Sequence, residues 1–380
     1  MIIEAFLRWT ERAAASDRAK AAGSLARAYV SGRMTLEDRR AGEAALFFLL
    51  DDPSPKVRLA IASAIAASTE APRAMIHALC RDQIEVASHV VALSPLLSDG
   101  DLVDIVADTH SDVQRVVALR ARVSVAVSAA IAEVADWPAI CDLLENEGAT
   151  IAAISLRRIV ERYGENGDVR CALLARADIP CDVRHQLAMH VGEALAALPL
   201  VRSAIGDGRI ARVTKDACQQ ATLRMVSEVE VSELPALVEH LRIQGQLTSA
   251  LLMHALCQGN IDFFAAAIVT LTGQPPTRVR AILADGREAT LRAMYRSAQI
   301  SEATCRVLIS ATLIWRRAGR DGRVSTTGSV AELLMHRHGV EAEHSTEIAE
   351  LLMLVERLNL THRRRIACDA ALDMKSRRAA

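Results

Sequence analysis

Five times in the first half of this chain an apolar residue leads into an Asp or Asn, and four or five residues later a Val or Ile opens an alanine-rich apolar run. The instances are Leu50 to Asp52 to Val57, Leu79 to Asp82 to Val86, Val106 to Asp108 to Val113, Leu144 to Asn146 to Ile151, and Leu174 to Asp178 to Val183. The polar markers at 52, 82, 108, 146 and 178 lie 30, 26, 38 and 32 residues apart. A recurrence at that interval marks stacked helical hairpins, each burying its apolar face against the next. A solenoid of that kind shows extended surface rather than a catalytic pit, so the pattern speaks for binding.

Within each repeat the spacing is helical. Asp51-Asp52-Pro53-Ser54-Pro55 breaks the chain, and Val57, Ile61 and Ile65 then fall on one face at i, i+4 and i+8. The same face recurs as Val86 and Val90, as Val113, Val117 and Ala121, and as Val183, Leu187 and Val191. Val57, Val86, Val113, Ile151 and Val183 are therefore expected to face the inter-helix core, where Val113→Asp would leave a costly buried charge. Each such helix has a partner before it: Ala71 to Cys80, Asp101 to Ala107, Trp137 to Leu144, and Val169 to Leu174. The 38-residue interval carries an extra helix from Val123 to Val134. Ahead of the repeats, Thr35 is a candidate N-cap in a stretch that reads as two or three capping helices.

Past about residue 207 the period weakens, and glycines just beyond apolar segments mark helix ends at Gly245, Gly259, Gly273 and Gly286. Pro275-Pro276 suits the start of the next helix. Ala318 to Ser329 is small and polar, the best linker in the chain. Beyond it Ile348, Leu351, Leu352, Val355 and Leu358 form one amphipathic stripe, which must bury against the body, a partner or a second copy; pairing of copies through it would give a homodimer. The expected organisation is capping helices over 1–50, repeats over 51–206, a helical C-terminal half over 207–317, a linker over 318–329 and C-terminal helices with a basic tail over 330–380.

Composition narrows the class. Aromatic residues make up 3% of the 380, so the core must come from Ala, Leu, Val and Ile, which argues for an all-α fold. The formal net charge of -1 supplies no general attraction to nucleic acid or anionic membrane. Charges interrupt every apolar run before a membrane span accumulates, and the N-terminus lacks the pattern of a secretory signal, so a cytoplasmic location is the expectation. The eight cysteines are scattered with no Cys-x-x-Cys pair, as expected of buried reduced thiols rather than zinc ligands.

The run from Asp52 through Pro53, Ser54, Pro55, Lys56, Val57 and Arg58 to Ala62 resembles the second-helix start of a HEAT repeat. Further along stand Ala71-Pro72 through Leu79, Asp82 through Val86-Ala87, Ser94 with Leu97, Asp101-Leu102 through Ile105-Val106, His110, Arg120, and Asn146-Glu147-Gly148-Ala149. Later come Leu247-Thr248 with Leu251-Leu252, Gly259-Asn260-Ile261-Asp262-Phe263-Phe264, Arg278 through Leu283, and Leu291-Arg292 with Tyr295. In this order, over roughly residues 35 to 310, they resemble a bacterial family of unknown function whose members carry HEAT-like helical repeats. The segment after Ser310 departs from that pattern. The resemblance implies a HEAT-like right-handed α-solenoid followed by a less regular helical C-terminal half, and brings no catalytic residues.

Signatures of chemistry are missing. HEAT-repeat di-iron hydroxylases use His-Glu dipeptides, and none occurs here. His185 and His190 are five apart, off the i, i+4 geometry, and His336, His338 and His344 form the sole local histidine cluster. Phosphate-binding glycine loops and a Gly-x-Ser-x-Gly elbow are absent too. Trp137 beside Asp136 and Asp142 could be cast as the lesion site of a HEAT-like DNA glycosylase, but packing at a helix start with Pro138 is the simpler reading. The expectation is a non-enzymatic interaction protein without cofactor or metal, binding another protein along a groove lined by Arg58, His89, Arg115, Arg120, Arg157, Arg158 and Arg184. The alternative is a nucleic-acid-binding module using an Arg-rich C-terminal surface that includes Arg278, Arg280 and Arg292.

Overall fold

A computed structural model of the protein describes residues 6, 8–10, 12–320, 327–342 and 345–379. Most of those residues are helical, with one isolated parallel bridge between Val123 and Ala149. The chain divides into two compact units, Met1–Ile179 and Pro180–Ala380. The last sequence recurrence, Leu174 to Val183, straddles that division.

The first unit begins with α1 (Ala15–Val30), α2 (Leu36–Leu50), α3 (Pro55–Ile65) and α4 (Arg73–Cys80). It continues with α5 (Ile84–Leu93), α6 (Asp99–Asp108), α7 (Ser111–Ala118) and α8 (Val125–Val134), and ends with α9 (Trp137–Glu145), α10 (Ala153–Tyr163) and α11 (Gly167–Ala175). Boundaries follow local chemistry. The Thr35 hydroxyl accepts the Asp38 amide at 3.2 Å to open α2, and Ser98 with Asp101 closes a capping box on α6. Proline stands in the first turn of α3 and α9, where its missing N–H costs nothing.

Every second helix packs against its predecessor. One row runs α1, α3, α5, α7, α9, α11, and helices of the other pack as α2 on α4 and as α6 on α8 on α10. Val57 and Val86 are fully buried in the first row, with Ile61, Ile65 and Val90 beside them. Val113 departs from expectation. It is half-buried, while Gln114 and Val117 take the inward positions, and Ala121 lies exposed beyond the end of α7. The extra helix α8 explains a second difference. It shifts the alternation by one, so the helix after Ile151 belongs to the second row, and Trp137–Glu145, expected as a partner helix, continues the row of α3, α5 and α7.

The second unit comprises α12 (Cys181–Ala197), α13 (Pro199–Ile205), α14 (Asp207–Glu228), α15 (Leu234–Ile243) and α16 (Ser249–Gln258). Then follow α17 (Ile261–Thr272), α18 (Pro276–Asp285), α19 (Glu288–Ser297), α20 (Glu302–Arg320), α21 (Thr327–Ala342) and α22 (Thr346–Ala379). At its centre is α16, buried from Leu252 through Cys257 and packed against α14, α17, α20, α21 and α22. A helix covered on all sides is apolar all round, which makes the one polar residue of that run, His254, conspicuous. Gly259 ends α16 in the left-handed region at φ 82°. A Cβ there would stand 2.8 Å from the Trp315 ring, whose Nε1 donates to the Leu256 carbonyl.

The C-terminal stripe is covered within its own unit. Ile348 and Val355 are fully buried and Leu351 and Leu352 nearly so, packed in the core with Val330 and Leu334 of α21. Of the three ways of burying the stripe, packing against the body is the one these four residues adopt; the side chain of Leu358 lies outside the described residues. Of the expected linker 318–329, residues 318–320 end α20, 327–329 begin α21, and 321–326 lie outside the described residues.

Candidate functional site

Of the arginines nominated from the sequence, Arg58, Arg115, Arg120 and Arg158 bond across consecutive hairpins. Arg58, fourth residue of α3, donates from Nε and Nη2 to Asp82 at 2.5 and 2.8 Å, and from Nη1 to the Asp52 carbonyl at 2.6 Å. One repeat earlier Arg18, fourth in α1, makes the same fork to Asp52 at 2.7 and 2.9 Å and reaches the Ala13 carbonyl. In α7 the fourth residue is Gln114, whose amide donates to the carbonyls of Val106 and Thr109 and accepts the Asp136 amide. Arg170, fourth in α11, caps Gly164 and Glu165. The hydrogen bonds from Arg18 hold the Asp52 carboxyl below its ordinary range. Burial pushes Asp82 upward, but the bonds from Arg58 and the Gln83 amide outweigh it.

A second set of links joins the turns at the other helix ends. Arg120 donates to the carbonyls of Val91 and Ser94 in the preceding turn. Asn146 donates at 2.7 Å to both Ala118 and Arg120, and Arg176 reaches Leu144 at 2.9 Å while forking onto Asp178. These donors satisfy carbonyls that a helix C-terminus leaves open, from a repeat 26 to 32 residues further on. Burial lowers the pKa of the Arg120 guanidinium, in keeping with its structural position. Gly148 belongs to the same joint. A Cβ there would come within 2.1 Å of the Ala121 carbonyl oxygen, in the loop that pairs Val123 with Ala149.

The other nominated residues are placed as follows. Arg115 pairs with Asp142 at 2.6 Å, and Arg158 forks onto Glu133 at 2.7 and 2.8 Å. His89 is exposed, with Nδ1 on the Glu85 carbonyl. Arg157 is half-buried and Arg184 exposed. In the second unit Arg280 lies 3.6 Å from Asp262, Arg292 is 3.2 Å from Glu288, and Arg278 is exposed. Trp137 begins α9 and is 42% exposed. His338 is buried on Ser310 at 2.8 Å and Glu341 at 3.2 Å, His336 is exposed, and His344 lies outside the described residues.

What no local motif announced is a cavity of about 700 Å³ in the second unit. Its deepest residues are Cys218 and Thr222 of α14 and His254 of α16. Met189, Ala196, Ile210, Leu251 and Leu354 give largely apolar walls, and Glu193, Lys215 and Thr248 lie at the exposed rim. Close packing of α12 on α14 bounds it on one side, where a Cβ on Gly192 would meet the Cys218 sulfur at 2.6 Å. The Thr222 hydroxyl is engaged by His185 Nε2 at 2.8 Å, and His185 Nδ1 stands 3.3 Å from His240 Nε2. Burial and then the neighbouring His240 lower the pKa of His185 to about 4; burial lowers that of His254 to about 4 as well. His254 is 6% exposed; a side-chain hydrogen bond with Gln258 partly opposes the effect of burial, and its Nε2 has no hydrogen-bond partner among the described residues.

Burial pushes the Cys257 thiol up to about 12 and those of Cys80 and Cys181 to about 11, the behaviour of packed core thiols rather than nucleophiles. Among the described residues no helix is long and apolar enough to cross a membrane.

Comparison with known proteins agrees with a bacterial family of unknown function. Residues 86–347 match the family described as "Uncharacterised protein conserved in bacteria (DUF2336)". The matched stretch runs past Ser310, so part of the segment expected to depart from the family lies within it. No curated protein and no solved structure matches the chain. With well over half its length matched, the chain belongs to this bacterial family.

Proposed function

We propose that the protein is a non-enzymatic interaction protein whose first unit is a HEAT-like right-handed solenoid, binding a partner protein along one edge of its hairpin stack. The observation that carries this reading is a recurrence of exposed aliphatic side chains at one kind of turn. Leu93 ends α5, Leu119 follows α7, Val125 begins α8 and Ile154 begins α10, with exposures of 59, 60, 46 and 72%. Single exposed leucines mean little. Set at the successive α5–α6, α7–α8 and α9–α10 turns, with packed helices roughly 8–10 Å apart, they form a row. Of the arginines first expected to bind the partner, Arg58, Arg115, Arg120 and Arg158 are engaged between repeats, which moves the candidate surface to this edge. Arg280 and Arg292 of the second unit face Asp262 and Glu288, which weighs against the nucleic-acid reading, because each neutralised phosphate needs an uncommitted cation.

The test uses the tagged full chain, captured from its own cells, beside two variants. Leu119→Glu with Ile154→Glu is expected to lose the partner while keeping the melting temperature, since both residues are exposed. Arg278→Glu with Arg280→Glu is expected to keep it. Retention by the first variant and loss by the second, with steeply salt-dependent binding to duplex DNA, would establish the nucleic-acid module instead.

A further inference from the structure

Three features of the second-unit cavity point to its occupant. First, size and lining suit a small molecule: about 700 Å³ between apolar walls with a few polar groups is the build of a ligand site. Second, the floor holds an unmet polar group. His254 is the one polar side chain in the buried run of α16, and its Nε2 has no partner among the described residues. Leaving such an atom unpaired is unfavourable, and a hydroxyl or carbonyl on a ligand would satisfy it. Thr222 does not compete for that group, since its hydroxyl already donates to the Cys218 carbonyl and meets His185.

Third, the rim carries one uncommitted cation. Lys215 is one of four lysines in the chain, and no ion pair to it is formed among the described residues. Glu193 also lines the rim with His190 3.8 Å away, so a second anionic group on a ligand would meet a like charge. The head group is thereby limited to a single negative charge.

We propose that this cavity binds an acyl carboxylate bearing a hydroxyl or carbonyl on its chain, the carboxylate at Lys215, the oxygen at His254 Nε2, and the methylenes along Met189, Ile210, Leu251 and Leu354. A ten-carbon chain of about thirteen heavy atoms, at roughly the 30 Å³ that a water molecule takes in the liquid, fills a little over half of the space. The site is independent of the partner edge on the first unit.

Titration calorimetry on the full chain with 10-hydroxydecanoate, decanoate and 1,10-decanediol tests it. Saturable one-to-one binding of 10-hydroxydecanoate is expected, with decanoate and the diol each weaker by about tenfold for the lost contact. Lys215→Gln should weaken both carboxylates about tenfold and leave the diol unchanged. His254→Phe should bring 10-hydroxydecanoate down to the decanoate level. Leu251→Trp, which fills the cavity from a half-buried position, should abolish all three. The proposal is overturned if 10-hydroxydecanoate shows no saturable binding up to millimolar concentration, if the diol binds as tightly as the acid, or if binding survives Leu251→Trp in a variant that melts like the parent.

Discussion

Arg58 touches two repeats at once, the backbone of its own at Asp52 and the carboxylate of the next at Asp82, with side chains 18 and 13% exposed. Removing one partner of so enclosed a pair leaves the other charge poorly solvated, so Arg58→Ala should destabilise the first unit by about 3 kcal/mol. Arg115, 47% exposed on Asp142, should barely move the melting temperature when changed to Ala. Thermal denaturation of the two variants checks the contrast. Histidines set the acid response. The folded pKa values of His185 and His254, near 4, lie below the ordinary 6.5. Above pH 6.5 both are neutral in either state and cost nothing. As pH falls from 6.5 toward 4 the unfolded chain takes up protons that the folded chain refuses, so stability drops across that window, by up to about 3 kcal/mol per histidine, and then levels off. The carboxylates Asp52 and Asp82 act in a lower window, their contribution present above 3.8 and lost as pH falls through their depressed values. Denaturation midpoints from pH 8 to 4 should fall below 6.5 in the parent and less in His185→Phe.

Helix by helix, much was legible. The caps and stops at Thr35, Pro55, Gly259 and Gly273 are local chemistry, and the last two glycines sit in the left-handed region as their positions imply. Gly286 stops α18 with φ at -61°, outside that region, so its place in the sequence announced the end without the conformation. The register of α7 was misread because a polar residue took an inward place. Gln114 is tolerated there because its amide bonds groups on both sides, a pairing across 22 residues that no periodicity reveals. Val117→Asp should therefore destabilise by several kcal/mol, and the half-buried Val113→Asp by distinctly less. Gly148→Ala should cost about 1–3 kcal/mol, because its methyl group meets backbone rather than a side chain that can turn away. Chemical denaturation of these three variants ranks them.

Across the whole molecule, the recurrence of Asp and Asn markers announced helices in alternation, but not which helices pack together or what the markers do. Three of the markers, Asp52, Asp82 and Asn146, are ends of links that bind one repeat to the next, and the other ends lie 24 to 34 residues away; Asp178 is held by Arg176 two residues before it, and Asp108 is exposed. The cavity was illegible for a similar reason, since its lining is drawn from segments between Met189 and Leu354 that no motif connects. The C-terminal helices complete the second unit rather than trail from it. Truncation after Ser310 removes Val330, Leu334, Ile348 and Val355, all fully buried, at roughly 1.5–3 kcal/mol each, and should abolish cooperative unfolding of that unit in calorimetry. The claim that the arginine and acid markers hold the stack together, rather than line a partner's groove, is open to a double-mutant cycle on Arg58→Ala and Asp82→Ala. A coupling energy above about 1 kcal/mol between the two is the expected result; additivity to within about 0.5 kcal/mol would contradict it.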